Sequence, residues 1–387
     1  MESADLSSLL RDRPASTPDM LAAFGDEALL RAALRFEAEL ALAQADVGLI
    51  GLADAEAIAA ACADLPDIAD LAEAAAHAGT LAIPLVALVR ARLPAEIAPL
   101  LHKGATSQDL ADTALMLQAQ QGATLIRRDT ERLSGALAAL AQAHAATPML
   151  GRTLLQAALP ITFGLKVAGW LAGVIGAGDR FEREASEAIQ LQFGGATGSL
   201  AGLGDKALAI AERLATRLDL PSPPVPWHAQ RQGLAGLAAS LAILTGAVGK
   251  IAGDIALLAQ TEVGEAFEGK VAGRGGSSAM AHKRNPTGCQ VALSAAIRAP
   301  HLAATIIAAL PQQHERGLGG WQAEGPVLAE LFQLAHGALA AMAPVIEGLE
   351  VDTDRMAANL VAAKVGTDAG ESEALVARAL DAYRKDR

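Results

Sequence analysis

Within Gly275–Pro286, GGSSAMAHKRNP, a serine hydroxyl, a lysine amine and an asparagine amide fall inside nine residues. Ser277 is suited to exchange a proton, and Lys283 and Asn285 to hold negative charge as it develops on a substrate oxygen. By composition alone the same segment also reads as a solvated basic turn. It lacks the GxxxxGK spacing of a phosphate loop. A second cluster, His102–Ala114 (HKGATSQDLADTA), puts Thr106 and Ser107 at the start of a long proline-free stretch. Two hydroxyls and the free amides of a helix N-terminus favour an anion such as a carboxylate. Simple capping by Ser107 or Asp109 is compatible with that role. A third segment, Gly151–Gly164 (GRTLLQAALPITFG), carries Arg152, Thr153 and Gln156. Taken by its residues alone, it predicts the start of an amphipathic helix.

The elements that must position these groups are long. No proline occurs between Pro99 and Pro148, between Pro160 and Pro221, or between Pro226 and Pro286. The first interval steps through Ile126, Leu133, Leu137 and Leu140 at helical spacing. A helix there of about 35 residues would be roughly 50 Å long. Such helices need partners along their whole length, from a bundle or from other copies of the chain. Shorter amphipathic segments, Asp26–Val47 and Ala53–Cys62, mark an N-terminal helical domain over 1–104. A central helical bundle follows over 105–348, interrupted by Phe193–Gly198, Pro221–Trp227 and Gly269–Ser278. Residues 349–387 form an abbreviated C-terminal helical segment.

Composition narrows the class. Of 387 residues, 52% are apolar, only 3% aromatic and 19% charged, which disfavours an all-β fold. A net charge of −12 with no basic run argues against nucleic acid and anionic membrane as partners. Cys62 and Cys289 lie far apart and frame neither a disulfide scaffold nor a zinc site. No histidine pair has the spacing of a helix-borne metal centre, so no metal is expected. Gln232–Gly249 is uncharged for 18 residues, and its Ala- and Gly-rich make-up fits a helix buried in a bundle better than a membrane span. Nothing at the N-terminus has the apolar core of a signal peptide, so a soluble cytoplasmic protein is expected.

The three clusters together resemble the fumarase/aspartase superfamily. GGSSAMAHKRNP is similar to its signature loop, GSSxMPxKxNP, with Gly276, Ser277, Ser278, Met280, Lys283, Asn285 and Pro286 in register and Ala281 in place of the usual proline. HKGATSQDLADTA and GRTLLQAALPITFG resemble the superfamily's first and second active-site regions. The likeness runs over roughly residues 20 to 360, through LRFE (34–37), PWHAQR (226–231), QTEVGE (260–265) and HERGLGGWQAE (314–324). It implies an all-α fold with a long central bundle, assembled as a homotetramer with a twenty-helix core. Each active site would draw on three subunits and need no cofactor. Ser277, Lys283 and Asn285 would be catalytic. His102, Thr106, Ser107, Arg152, Thr153, Gln156, Ser278, Met280 and His282 would contact substrate.

One departure bears on the reaction. Adenylosuccinate and argininosuccinate lyases carry a histidine after the Arg-Thr pair, where it protonates the departing nitrogen. Here that position is Leu154. A carboxylate has a conjugate-acid pKa of about 4 and needs no such proton at neutral pH. The resemblance therefore implies lactonisation of a small tricarboxylate of the carboxymuconate type, through an enediolate, in aromatic catabolism. A C–N lyase of the same superfamily and a non-catalytic, crystallin-like member are the alternatives.

Overall fold

The computed structural model describes residues 9–385, apart from 272, 277–279 and 281–282. The expectations for Ser277, Ser278 and His282 lie outside the described residues. Helix α1 spans Asp26–Asp46 and α2 spans Ser107–Ala143. A hairpin, β1 (Pro148–Thr153) and β2 (Gln156–Thr162), leads into α3, Phe163–Ala188. Then come α4 (Gln232–Leu258), α5 (Thr287–Ala308), α6 (Gly320–Glu347) and α7 (Thr353–Ala363).

The 37 residues of α2 make it about 55 Å long. It buries Leu110, Ala114, Leu117, Ile126, Leu133 and Leu137 along its length. That stripe recurs every three or four residues, so one side of the helix stays against α3, α6 and α1 throughout. Removing Leu133 or Leu137, both fully buried, would open a cavity costing about 2–5 kcal/mol. Helices α4, α5 and α6 pack on one another. By length and composition each is apolar enough to cross a membrane. The uncharged stretch expected to be a buried helix lies in α4, where Leu237, Leu241, Leu244 and Val248 are fully enclosed. Pro300 lies inside α5, and Pro326 and Pro344 inside α6, without ending either helix.

Among the described residues the chain is predominantly α-helical with a long bundle and no closed sheet, and two short antiparallel pairings accompany the helices. Gly151–Gly164, expected to begin a helix, is mostly antiparallel hairpin, with Thr153 opposite Gln156 and Pro148 opposite Thr162. Pro148 precedes the segment and Pro160 lies within it, and each disfavours a helix interior while being tolerated in a short edge strand. Leu154 and Leu155 make the turn at φ 50° and 62°. The left-handed conformation of both turn residues matches the turn to the right-handed twist of the flanking strands, as a tight hairpin requires. Gly151 stands at a register shift, where a Cβ would lie 2.4 Å from the Leu159 carbonyl oxygen. A smaller antiparallel pairing joins Ala266 to Val351 and Phe267 to Glu350.

Candidate active site

The first turn of α2 is fastened by a carboxylate. Asp109 is fully buried and accepts the backbone N–H of Thr106 (3.0 Å), Gly194 (3.0 Å) and Gly195 (2.9 Å). His228 Nε2 lies 2.6 Å from Oδ1, the oxygen that also accepts the Gly194 N–H, while Thr106 and Gly195 share Oδ2. Asp109 thus pulls the Phe193–Gly198 loop and the Pro226–Arg231 segment onto the helix N-terminus. Space there is tight: a Cβ on Gly104 (φ 79°) would stand 2.6 Å from Leu203 Cδ2. One turn further, the fully buried Arg231 donates to both oxygens of Asp112, at 2.7 and 2.9 Å, and to Glu324 at 2.9 Å. Burial pushes the Glu324 carboxyl above its ordinary range, against the pull of Arg231. One cation serves two carboxylates in this dry site, so removing Arg231 would leave both without their counter-charge.

On the more open side stand the expected substrate groups. Thr106 Oγ1 accepts from Arg316 Nη1 at 2.5 Å, and Arg316 Nη2 donates to the Ala196 carbonyl at 2.8 Å. Ser107 begins α2, half-buried. His102 has φ 62° and places Nδ1 2.6 Å from the Glu37 carboxylate. Helix amides, a hydroxyl, a guanidinium and an imidazole form a cationic end suited to a carboxylate. Arg316 and Glu37 were not singled out from sequence, although HERGLGGWQAE and LRFE contain them.

Arg152 and Gln156 come to a different place. On β1, the Arg152 guanidinium holds Glu265 through two bonds, of 2.7 and 2.8 Å. The Glu265 carboxylate is fully buried and also accepts from Asn359 of α7 at 2.6 Å. Much of the Arg152 charge is therefore committed to locking the hairpin onto the bundle. Thr153 and Gln156 are exposed at the hairpin end, with Leu154 93% and Leu155 80% exposed.

The glycine-rich segment is held by its stems. Glu268 caps α5 by accepting the N–H of Gly288 (3.1 Å) and Cys289 (2.8 Å). Arg274 Nε donates to Thr287 Oγ1 at 3.2 Å, and Arg284 pairs with Glu350 at 2.9 Å. The Asn285 N–H donates to the Gly275 carbonyl at 2.8 Å, and the Lys283 N–H to that of Met280 at 3.1 Å. Lys283 and Asn285 line a cavity of about 250 Å³ with Arg274, Lys270 and Glu268. Met280 and Lys283 are exposed. Burial, reinforced by Glu268, pushes the Cys289 thiol far up, so it is no nucleophile.

One chain does not unite these groups. Arg132 of α2 pairs with Glu347 at 2.7 Å, and a Cβ on Gly269 would stand 2.6 Å from the Gly348 carbonyl oxygen. The base of the Lys283 loop therefore sits beside Arg132, 25 residues along α2 from Ser107. At 1.5 Å per residue that is roughly 38 Å. Arg152, tied to Glu265 ahead of the loop, belongs to the loop's end of the bundle.

Long antiparallel helices, a hairpin-borne Arg-Thr pair and a glycine-rich Lys-Asn loop define a lyase of the fumarase/aspartase type. Residues 13–300 match the family described as lyase. A crystal structure of 3-carboxy-cis,cis-muconate lactonizing enzyme from Pseudomonas putida superposes with a TM-score of 0.87 at 42% identity, covering 98% of this chain and 89% of that one. The 3-carboxy-cis,cis-muconate cycloisomerase of Bradyrhizobium diazoefficiens is 50% identical over 89% of this chain and 77% of its own. Nitrosuccinate lyase of Streptomyces davaonensis is 42% identical over 92% and 77%. The chain belongs to the fumarase/aspartase superfamily and, within it, to the family of the carboxymuconate cycloisomerases.

Proposed function

We propose that the chain closes 3-carboxy-cis,cis-muconate to a carboxymuconolactone, a step in protocatechuate breakdown by the β-ketoadipate route. One substrate carboxylate adds across a double bond. Charge gathers on another carboxylate as an enediolate, held by Lys283 and Asn285, and Ser277 delivers a proton to the α-carbon. The observation carrying this reading is Leu154. It occupies a hairpin-tip position where nitrogen-handling relatives place an acid, and an attacking carboxylate arrives already ionised.

The working unit in this reading is a cytoplasmic homotetramer with a twenty-helix core. Its sites combine the His102–Ser107 end of one subunit, the Arg152–Gln156 hairpin of a second and the Ser277–Asn285 loop of a third. His102, Thr106, Ser107, Arg152, Thr153, Gln156, Ser278, Met280 and His282 then contact the tricarboxylate. Three features favour assembly: the roughly 38 Å between clusters within one chain, the exposed leucines of the hairpin tip, and an open strip on α3. At Gly169, Gly173 and Gly176 nothing lies within 4 Å of where a Cβ would stand, so another helix can approach closely. Ile297 and Ile307 of α5 are 68% and 47% exposed, which favours cover by a further copy.

The test is to incubate the purified protein with 3-carboxy-cis,cis-muconate, follow loss of the diene's ultraviolet absorbance, and identify the product by NMR. Parallel assays offer nitrosuccinate and a succinylated amine. Lactone formation, abolished by Ser277→Ala in a protein that still assembles, is expected. Efficient cleavage of either competitor with muconate untouched would overturn the assignment.

A further inference from the structure

Glu37 is 1% exposed, in the middle of α1, and no water-facing surface offsets the cost of its charge. A carboxylate in such a place requires a partner. One oxygen lies 2.6 Å from His102 Nδ1, and the other is buried with no hydrogen bond. His102 in turn keeps a left-handed backbone, φ 62°, which is unfavourable for a residue with a Cβ. The turn that imposes it is closed by the Ala105 N–H on the His102 carbonyl. The imidazole is therefore directed at Glu37 by both its backbone and its bond. Among the described residues no hydrogen bond engages Nε2, and the side chain remains 17% exposed.

We propose that Glu37 is a positioning residue of the carboxylate-receiving end: it holds His102 protonated at Nδ1 and positively charged, leaving Nε2–H to donate to a substrate carboxylate beside Thr106 and Ser107. This rests on the reading of that end as the tricarboxylate's docking point. It adds a residue that touches no substrate.

The charges facing the imidazole come from four elements. Glu37 on α1 and Asp109 on α2 favour its cation, and Arg90, at the end of the helix Ala82–Arg90, opposes it. Arg316 stands at Thr106, four residues further along the chain. Burial is the largest single influence on His102 and lowers its pKa. The Glu37 hydrogen bond and charge, with the charge of Asp109, outweigh it and raise the pKa above 6.5. The cation is thus complete at low pH and is lost only as pH rises through that raised value. Glu37→Gln keeps an acceptor for Nδ1–H but deletes the charge, so burial and Arg90 then pull the pKa down.

The experiment uses the full chain as wild type, Glu37→Gln and His102→Gln. Histidine-labelled NMR titration, with His102→Gln for assignment, should place the wild-type His102 pKa above 6.5 and displace it downward by about one unit or more in Glu37→Gln. With 3-carboxy-cis,cis-muconate as substrate, KM of Glu37→Gln should be about tenfold above wild type near pH 8 and converge with it near pH 6, while kcat changes less than about threefold. Calorimetry with tricarballylate, a saturated tricarboxylate, should show the same pH-dependent weakening whether or not the protein turns over muconate. That keeps failure of this inference distinct from failure of the assigned reaction. A wild-type His102 that titrates below 6.5, or a KM penalty equal at all pH values, would overturn the proposal. If Glu37→Gln does not fold, the wild-type titration alone decides.

Discussion

The strongest structural commitment near the substrate end is Asp109, and Asp109→Asn tests it. The carboxylate takes two contacts on each oxygen: Gly194 N–H and His228 on Oδ1, Thr106 and Gly195 N–H on Oδ2. An asparagine has one acceptor oxygen. Its amide nitrogen then faces either the Thr106 and Gly195 N–H groups or the Gly194 N–H and His228. The charge is lost from every contact and at least one buried N–H is left unpaired, a loss equivalent to about two charge-assisted hydrogen bonds. At roughly 1.5–3 kcal/mol for each such bond, the loss is about 3–6 kcal/mol. That is a large share of the ~5–15 kcal/mol by which proteins are stable. With a slope of roughly 3 kcal/mol per molar urea, the unfolding midpoint should fall by about 1–2 M. The assay is equilibrium urea unfolding followed by far-ultraviolet circular dichroism, at one fixed protein concentration because the proposed assembly would contribute to stability. Thr106 and the Gly194–Gly195 turn should loosen together, raising KM for the tricarboxylate more than lowering kcat. A midpoint shift under about 0.3 M would refute the view that this carboxylate fastens the helix start.

Further outcomes concern the other clusters. Arg152→Met leaves the fully buried Glu265 carboxylate with Asn359 alone and should cost about 3–5 kcal/mol. Adding Glu265→Gln should restore at least half of it in a double-mutant cycle, whereas additive losses would deny the coupling. Burial works to raise the Asp129 carboxyl, but His336 Nε2, 2.9 Å away, and the hydrogen-bonded Arg128 prevail and hold it down to about 2. Its contribution is complete above 3.8 and is lost as pH falls toward about 2. His336→Gln should flatten the stability curve across that window, as read by urea midpoints at successive pH values. Replacing Leu154 and Leu155 by Asn-Gly gives the residues such a turn prefers and relieves about 1–2 kcal/mol of strain for each. Sedimentation equilibrium should nevertheless show weaker assembly, and unchanged assembly would count against tip packing on a neighbouring copy.

What could be read from the chain differs between its helices and its turns, for a physical reason. Residues 107–143 announce themselves because a helix that long repeats its apolar stripe many times without proline, and Asp109, three residues after the N-cap Thr106, closes a capping box at its start. The uncharged run of α4 was likewise legible as a buried helix. The hairpin was not. Its turn is Leu-Leu in left-handed conformation, with no Asn or Gly to signal it, and Leu150, Leu154, Leu155 and Leu159 mimic helical spacing. The prolines within α5 and α6 mislead in the opposite sense, since tertiary packing carries both helices past them.

The residues missed at the site share a cause as well. Arg316 reaches Thr106 from 210 positions away, and Glu37 reaches His102 from 65. Spacing along a sequence reports neighbours on one element, whereas these contacts exist only after several helices converge. Motif resemblance identified the hydroxyls and the imidazole that would face substrate, but not the charges that set them. Those charges act in opposite ways. Arg316 adds a cation beside the α2 amides, while Glu37 spends a buried negative charge to hold His102 positive. A substrate with three carboxylates benefits from both, because each cation it meets is already oriented and desolvated before binding. The hairpin contributes less free charge, since Glu265 answers most of Arg152. In the proposed three-subunit site, recognition by the hairpin would then fall to the exposed hydroxyl and amide of Thr153 and Gln156. Selectivity among tricarboxylates is accordingly expected to respond to these two neutral groups more than to Arg152, whose replacement acts first on folding.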